Sequence, residues 1–349
     1  MKNDHHEIFT QKYSSWGDKL LQHTDVLYSI QKHRHFSPIN IQLAPCEICD
    51  SDCPFCSVQN RPLKSKLSFV KIKKVLEDFR TLGAKAMEIT GGGNPMLYRD
   101  GDKNINDIIE YGYELGYKIG IITNSHDISK IKIENHSKIT WIRISLIQLD
   151  EGVSPEQYFF NNFPLNNLGF SYIIYERTTK ESINKIAKLV SLHPSIKFVR
   201  LAGDCLIKGN NAEVREKFKD IISEIDKNSQ FFFKEIGYED FPFNNRCYVG
   251  MIRPYIAPNP NGGDYRIYPC TSYVLNKRTY DIDYSLCSID DIIETWNSMN
   301  MRFQKEGYPY EIKGNNGKDW CKTCNYCYYK NNNKLLHTIV TELPDKEFA

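Results

Sequence analysis

Three thiols sit in one short loop of the sequence, Cys49-Asp-Ser-Asp-Cys53-Pro-Phe-Cys56, with an aromatic residue, Phe55, just before the last. Three thiolates at C-x3-C-x2-C spacing can hold three irons of a [4Fe-4S] cubane and leave the fourth iron open to bind a cofactor or substrate, which four-cysteine electron-transfer clusters cannot do. Zinc is the competing reading, but the pairs Cys46/Cys49 and Cys53/Cys56 lie closer together than the two halves of a zinc ribbon. Cys46 stands outside the triplet, either as an alternative ligand or as a small half-buried residue at a strand end.

A second set of thiols comes late in the chain: Cys247, Cys270 and Cys287, followed by Cys321-Lys-Thr-Cys324-Asn-Tyr-Cys327. The Gly262 to Cys270 stretch reads as a hairpin that delivers a thiolate, and the C-x2-C spacing suits iron–sulfur or zinc. Between the two sets lie polar residues at apolar strand ends. They are the glycine run Thr90-Gly91-Gly92-Gly93-Asn94-Pro95, then Thr123-Asn124-Ser125, Arg143-Ile-Ser145 and Asp204-Cys205. Glycines let backbone approach a ligand where a Cβ would clash. Asp204 could take a proton and Cys205 could give a hydrogen atom, although an inert buried thiol is the commoner outcome. His5, His6, His23, His33 and His35 are scattered and read as a solvated segment or lid.

The elements that must position these residues alternate in type. Apolar runs predict strands at Ile39–Leu43, Ala86–Thr90, Lys118–Thr123, Trp141–Leu146, Phe170–Tyr175 and Lys197–Leu201, and amphipathic spacing predicts helices such as Phe69–Leu82, Ile105–Leu115 and Glu181–Leu192. Six βα units predict an α/β fold, a partial (β/α)6 TIM-like barrel. The cysteine triplet would sit in the loop at the C-terminal end of the first strand, where barrels keep their active sites. From about Pro242 periodicity fades, which predicts a small, loop-rich, cysteine-rich C-terminal domain. The domains expected are an N-terminal segment 1–36, the barrel 37–240 and the cysteine-rich domain 241–349. The polar stretch Asn331 to Lys334 has no evident meaning.

Composition narrows the partners. Forty-five Lys plus Arg against forty-three Asp plus Glu give a net charge of +2 in 349 residues, so no global field draws the chain to nucleic acid or to an anionic membrane. There is no run of roughly 20 apolar residues and no signal-peptide pattern at the start, so a cytoplasmic location is expected. Eleven cysteines in a chain of this size favour metal ligation in a reducing compartment over a disulfide framework.

The C-x3-C-x-aromatic-C loop after a first strand resembles the signature of the radical S-adenosylmethionine (SAM) superfamily. That resemblance implies that the open iron binds the amino and carboxylate groups of SAM. One electron, from an external donor such as flavodoxin or ferredoxin, then yields methionine and a 5′-deoxyadenosyl radical that abstracts a substrate hydrogen. It also implies that Gly91, Gly92, Gly93 and Asn94 stand at the family's Gly-Gly-Glu region, which accepts from the SAM amino group; here Gly93 replaces the acidic residue. Asn124, Arg143 and Ser145 resemble positions that reach the methionine carboxylate and ribose, Leu201 would place backbone beside adenine, and Phe55 completes the cofactor set. The late cysteines resemble the auxiliary-cluster modules SPASM and twitch, implying one more [4Fe-4S] cluster on Cys247, Cys270, Cys321 and Cys324, with Cys327 as a substitute or extra ligand.

The expected function is therefore a radical SAM oxidoreductase or lyase-type enzyme. The leading substrate is a peptide or protein, because auxiliary modules most often accompany such modification; the alternative is a small metabolite or nucleotide-derived molecule in cofactor or natural-product biosynthesis. A zinc or electron-transfer protein is the rival from outside enzymology.

Overall fold

The alternating apolar runs become strands in the structure, a computed structural model that describes residues 17–59, 61–204, 231–234, 246–259, 264–271, 285–310 and 329–341. The six expected strands are β1 (Asn40–Leu43), β2 (Ala86–Ile89), β3 (Lys118–Thr123), β4 (Ile139–Ser145), β5 (Leu168–Ile174) and β6 (Phe198–Gly203). β4 and β5 each begin two residues earlier than expected, because Ile139 and Leu168 are themselves buried in the core. β7 (Phe231–Lys234) continues the series, parallel to β6.

α-Helices fill three of the crossovers, after an N-terminal helix α1 (Thr24–His33). Short 3-10 turns such as Ile133–Lys138 and Leu146–Leu149 occupy those from β3 to β4 and from β4 to β5, although six βα units were expected. α2 (Phe69–Thr81) starts where the Ser68 hydroxyl accepts the Lys71 N–H, and it buries Ile72, Val75, Leu76 and Phe79, one face at i, i+3, i+4 and i+7. α3 (Ile105–Glu114) starts with a capping box between Asn104 and Asp107 and ends at Gly116, whose φ of +82° suits glycine. α4 (Lys180–Leu192) begins at a Thr179 cap.

From β1 to β7 each strand lies beside its sequence neighbour, and all six pairings are parallel. Crossovers between parallel strands are right-handed, so a sheet that advances in one direction places all its helices on one face. The other face becomes the inside of a curl, the geometry of a partial barrel. Met87, Ile89, Ile119, Ile121, Ile142, Ile144, Val199 and Leu201 alternate onto the helix face and are buried there. Among the described residues the outermost strands do not pair with each other.

The C-terminal region is less loop-like than its composition suggests. β8 (Tyr255–Pro258) joins the same sheet parallel to β1, and β9 (Tyr265–Tyr268) and β10 (Cys287–Ser288) extend it antiparallel. α5 (Ile292–Glu306) packs its fully buried Trp296 edge-on against Phe79 of α2, with ring centroids 5.2 Å apart. Asn300 of α5 accepts the Phe36 N–H at 2.8 Å and donates to the Phe36 carbonyl at 3.1 Å. α6 (Lys330–Val340) closes against α1 and contains the Asn331 to Lys334 stretch. One continuous hydrophobic core runs from Leu20 to Val340. No helix among the described residues is long and apolar enough to cross a membrane.

Candidate active site

The chain that leaves β1 turns over the C-terminal rim of the sheet and lies against the chain that leaves β2. The Gly93 N–H donates to the Cys46 carbonyl at 3.1 Å and the Asn94 N–H to the Ile48 carbonyl at 2.8 Å, while the Glu47 N–H reaches the Ser65 carbonyl at 3.0 Å. A Cβ on Gly92 would fall within the Glu47 carboxylate, and one on Gly93 would meet the Ile48 carbonyl. The glycine run was expected to admit a ligand. In the structure, Gly92 and Gly93 make room for the chain's own cysteine loop.

Cys49, Cys53 and Cys56 are half-buried in that loop, and Cys46 is buried beside it with its thiol 3.5 Å from the Asn94 carbonyl. The Cys56 N–H donates to the Cys53 carbonyl at 3.0 Å. Arg61 crosses underneath: its Nε donates to the Glu47 carbonyl at 2.7 Å and its Nη1 approaches the Cys56 sulfur at 3.6 Å. Burial, with the neighbouring Cys56 and Glu151, pushes the Cys53 thiol up to about 12, and burial also raises Cys49. Thiols held this high are poor free nucleophiles; they become thiolates when a metal supplies the compensating charge. Three soft donors on one loop therefore fit an iron–sulfur core. Among the described residues no three Cys, His, Asp or Glu side chains converge as one metal ion would require.

Polar side chains from three strand ends tie the loop down. Asp50 Oδ1 accepts from Asn94 Nδ2 at 3.1 Å and from Asn124 Nδ2 at 3.0 Å. Asn124 also donates to Ser51 Oγ at 2.8 Å, and Ser51 in turn donates to Glu151 at 2.9 Å. Asn94, 1% exposed, further donates to Ser125 and accepts from Thr123 Oγ1 and the Met96 N–H. Its side chain thus helps to hold the loop. Phe55 packs edge-on against Tyr175, ring centroids 4.9 Å apart. Asp150 accepts from both Tyr175 and Tyr172, at 3.2 and 2.7 Å. A cleft of about 300 Å³ beside the loop is lined by Asp52, Pro54, Asp150, Glu151, Tyr175 and Arg177 among others.

The inner face of the curl is charged. Glu88 accepts from Gln42 at 2.7 Å and from Arg253 Nη2 at 3.1 and 3.3 Å. Burial opposes its ionisation, but Arg253, then Arg143, outweigh that and hold it below the usual carboxylate range. Arg143 and Arg200 point to the same side, by strand pairing with Gly169 and Ser171. Trp141 occupies the space that Gly120 leaves empty, and Phe198 the space at Gly169. Ser145 lies on this face opposite Ser171, whereas Leu201 turns its side chain to the helix layer, leaving only its backbone toward the mouth. Asp204 directly follows β6; Cys205 lies outside the described residues.

Of the late cysteines, Cys247 and Cys270 are both buried and both lie near Tyr310, whose proton burial and the Cys247 thiol hold far above its ordinary range. Asn333 of α6, 1% exposed, accepts the Tyr248 and Val249 N–H groups at 2.8 and 3.2 Å and donates to the Cys247 sulfur at 3.7 Å. The polar stretch without evident meaning thus contains the residue that seats Cys247. Cys287 is on β10, and Cys321, Cys324 and Cys327 lie outside the described residues. A polar line runs from Thr271, next to Cys270, through Tyr329 to Arg253 and Glu88, with steps of 3.1, 3.2 and 3.1 Å. The sequence reading missed Glu47, Arg61, Glu88, Arg253, Tyr329 and Asn333. Gln42 and Glu88 carried a signal, polar residues flanked on both sides by apolar ones within their strands.

Residues 43–156 match the sequence profile of the Radical SAM superfamily. Among solved structures, the fold is similar to Streptococcus suis SuiB bound to its precursor peptide SuiA, at 19% identity and TM-score 0.52 over 80% of this chain and 69% of that one. It is also similar to anSMEcpe with bound AdoMet, at 12% identity and TM-score 0.50 over 86% of this chain and 96% of that one.

Proposed function

We propose that this chain, a radical SAM enzyme, holds its cluster on Cys49, Cys53 and Cys56 and abstracts hydrogen from a peptide or protein substrate. The observation that carries the reading is the suspension of the three-thiol loop over the C-terminal rim, from Asn94, Asn124 and the two glycines of the β2 end. Bound together, the [4Fe-4S] cluster and SAM supply one-electron cleavage of the sulfonium and a carbon radical that removes hydrogen. The residues of the chain position and enclose. Arg61 presents positive charge to the Cys56 sulfur, Phe55 and Tyr175 wall the loop on one side, and Arg143 and Ser145 offer donors on the inner face. Asp204 stands at the mouth as the candidate proton acceptor, with Cys205 after it in sequence.

Residues 241–349 we take as an auxiliary-cluster region, with Cys247 and Cys270 as two of its ligands and Cys321, Cys324 and Cys327 supplying the rest. Their shared surroundings near Tyr310 support that assignment. The peptide substrate is supported by such a module and by the fold shared with SuiB, whose solved complex holds a precursor peptide. The test is anaerobic reconstitution with iron and sulfide, then incubation with SAM, a reductant and candidate precursor peptides, reading 5′-deoxyadenosine and peptide mass. Loss of hydrogen from a peptide supports the reading; 5′-deoxyadenosine with every peptide unchanged and a small metabolite consumed overturns its substrate half.

A further inference from the structure

We propose that the inner hollow of the sheet is a carboxylate site centred on Arg200 of β6, and that the group it receives is an acidic side chain or C-terminal carboxylate of the peptide substrate. The inference rests on the function proposed above and narrows its substrate to an acidic peptide. The pairing places Arg143 opposite Gly169 and Arg200 opposite Ser171, so the two guanidinium side chains face the same hollow across the two smallest inward positions of β5. Trp141 and Phe198, seated over Gly120 and Gly169, form an apolar floor below them.

The charges on this face do not balance. Glu88 is the carboxylate there among the described residues, and Arg253 and Gln42 already engage both of its oxygens. Arg143 and Arg200 have no hydrogen-bond or ion-pair partner among the described residues, and the Nε of each is buried without one. Burial and the neighbouring Arg143 lower the proton affinity of Arg200 well below its ordinary value. Arg143 stacks over the Trp141 ring and Glu88 acts on both groups at a distance, but two enclosed guanidinium groups without a hydrogen-bonded counter-ion are costly, and a ligand that brings further negative charge reduces that cost. The planar fork of arginine matches carboxylate in a two-point grip. Arg143 is among the residues that resemble positions reaching the methionine carboxylate and ribose of SAM, so Arg200 is the guanidinium left for one further carboxylate.

The experiment uses the reconstituted full chain and malonate as the probe, with the melting midpoint followed at fixed ionic strength against chloride, with and without saturating S-adenosylhomocysteine. The expected result is a malonate-dependent rise in the wild type that persists with S-adenosylhomocysteine. Arg200→Met should bind malonate about ten- to a hundredfold more weakly while retaining S-adenosylhomocysteine affinity, and it should melt no lower than wild type without ligand. Arg200→Lys should recover part of the response. The proposal is overturned if Arg200→Met responds like wild type, if S-adenosylhomocysteine abolishes the malonate response while Arg200→Met weakens S-adenosylhomocysteine, or if the ligand-free variant melts lower. The first result removes the site, the second makes it the cofactor's own, and the third gives Arg200 a structural partner. None of these readings depends on SAM cleavage, so failure here is distinguishable from failure of the radical SAM assignment.

Discussion

Single side chains decide whether the inner face tolerates its charge. Glu88 and Arg253 form a buried pair, so Arg253→Met removes the hydrogen-bonded counter-charge of a buried carboxylate and should cost up to about 3–5 kcal/mol of stability, read by chemical denaturation. The pH dependence should weaken. In the wild type the Glu88 pKa is depressed below its unfolded value, so its contribution is present above the ordinary carboxylate pKa and is lost as the pH falls through the depressed one. In Arg253→Met, Arg143, Gln42 and Arg200 still oppose burial, so the depression shrinks and less stability should be lost on acidification. A variant that loses as much stability as the wild type across the acidic range would show that Arg253 is not what keeps Glu88 ionised. At the rim, Asn94→Ala removes donors to Asp50 and Ser125 and an acceptor for Thr123, and it should cost roughly 1–3 kcal/mol. It should also lower iron occupancy after reconstitution; occupancy equal to wild type would mean the loop is held without it.

At the scale of elements, two close approaches carry the site. Gly92→Ala and Gly93→Ala force the cysteine loop off the end of β2, so both should retain native far-ultraviolet circular dichroism while taking up iron poorly, because the buried faces of α2 and the sheet hold most of the core. Full iron loading in both variants would contradict the docking described here. Asn333→Ala uncaps the turn at Val249–Ile252 and should cost about 1–2 kcal/mol, measured as a shift in denaturation midpoint. The six barrel strands and helices α2, α3 and α4 were legible within one or two residues, because each has a strict period and, for α2, α3 and α4, a capping side chain. β9 was legible as part of the hairpin leading to Cys270, whereas β7, β8 and β10 were not, since each is only two to four residues long and takes its place from pairing rather than from pattern. The cysteine triplet was readable from spacing, but the role of the glycines was not. Nothing local says whether the group that meets a missing Cβ is a ligand or Glu47, forty-five residues earlier.

For the whole molecule, one polar line runs from Thr271, next to Cys270, through Tyr329 and Arg253 to Glu88 on the inner face of the sheet. Charge composition left the partner open, and the charge imbalance behind the acidic-peptide proposal required the register of β4, β5 and β6 to see. If both thiol sets hold cubanes, the reconstituted chain should carry about eight irons and the Cys321→Ala/Cys324→Ala variant about four, with SAM cleavage retained and substrate conversion lost. Zinc in place of the second four would leave the auxiliary region structural. The central claim is tested most directly by replacing Cys49, Cys53 and Cys56 together with Ala and quantifying 5′-deoxyadenosine under anaerobic, reducing conditions. The account predicts that the folded triple variant loses one cluster's worth of iron and forms no 5′-deoxyadenosine, whereas undiminished 5′-deoxyadenosine from that variant would contradict it.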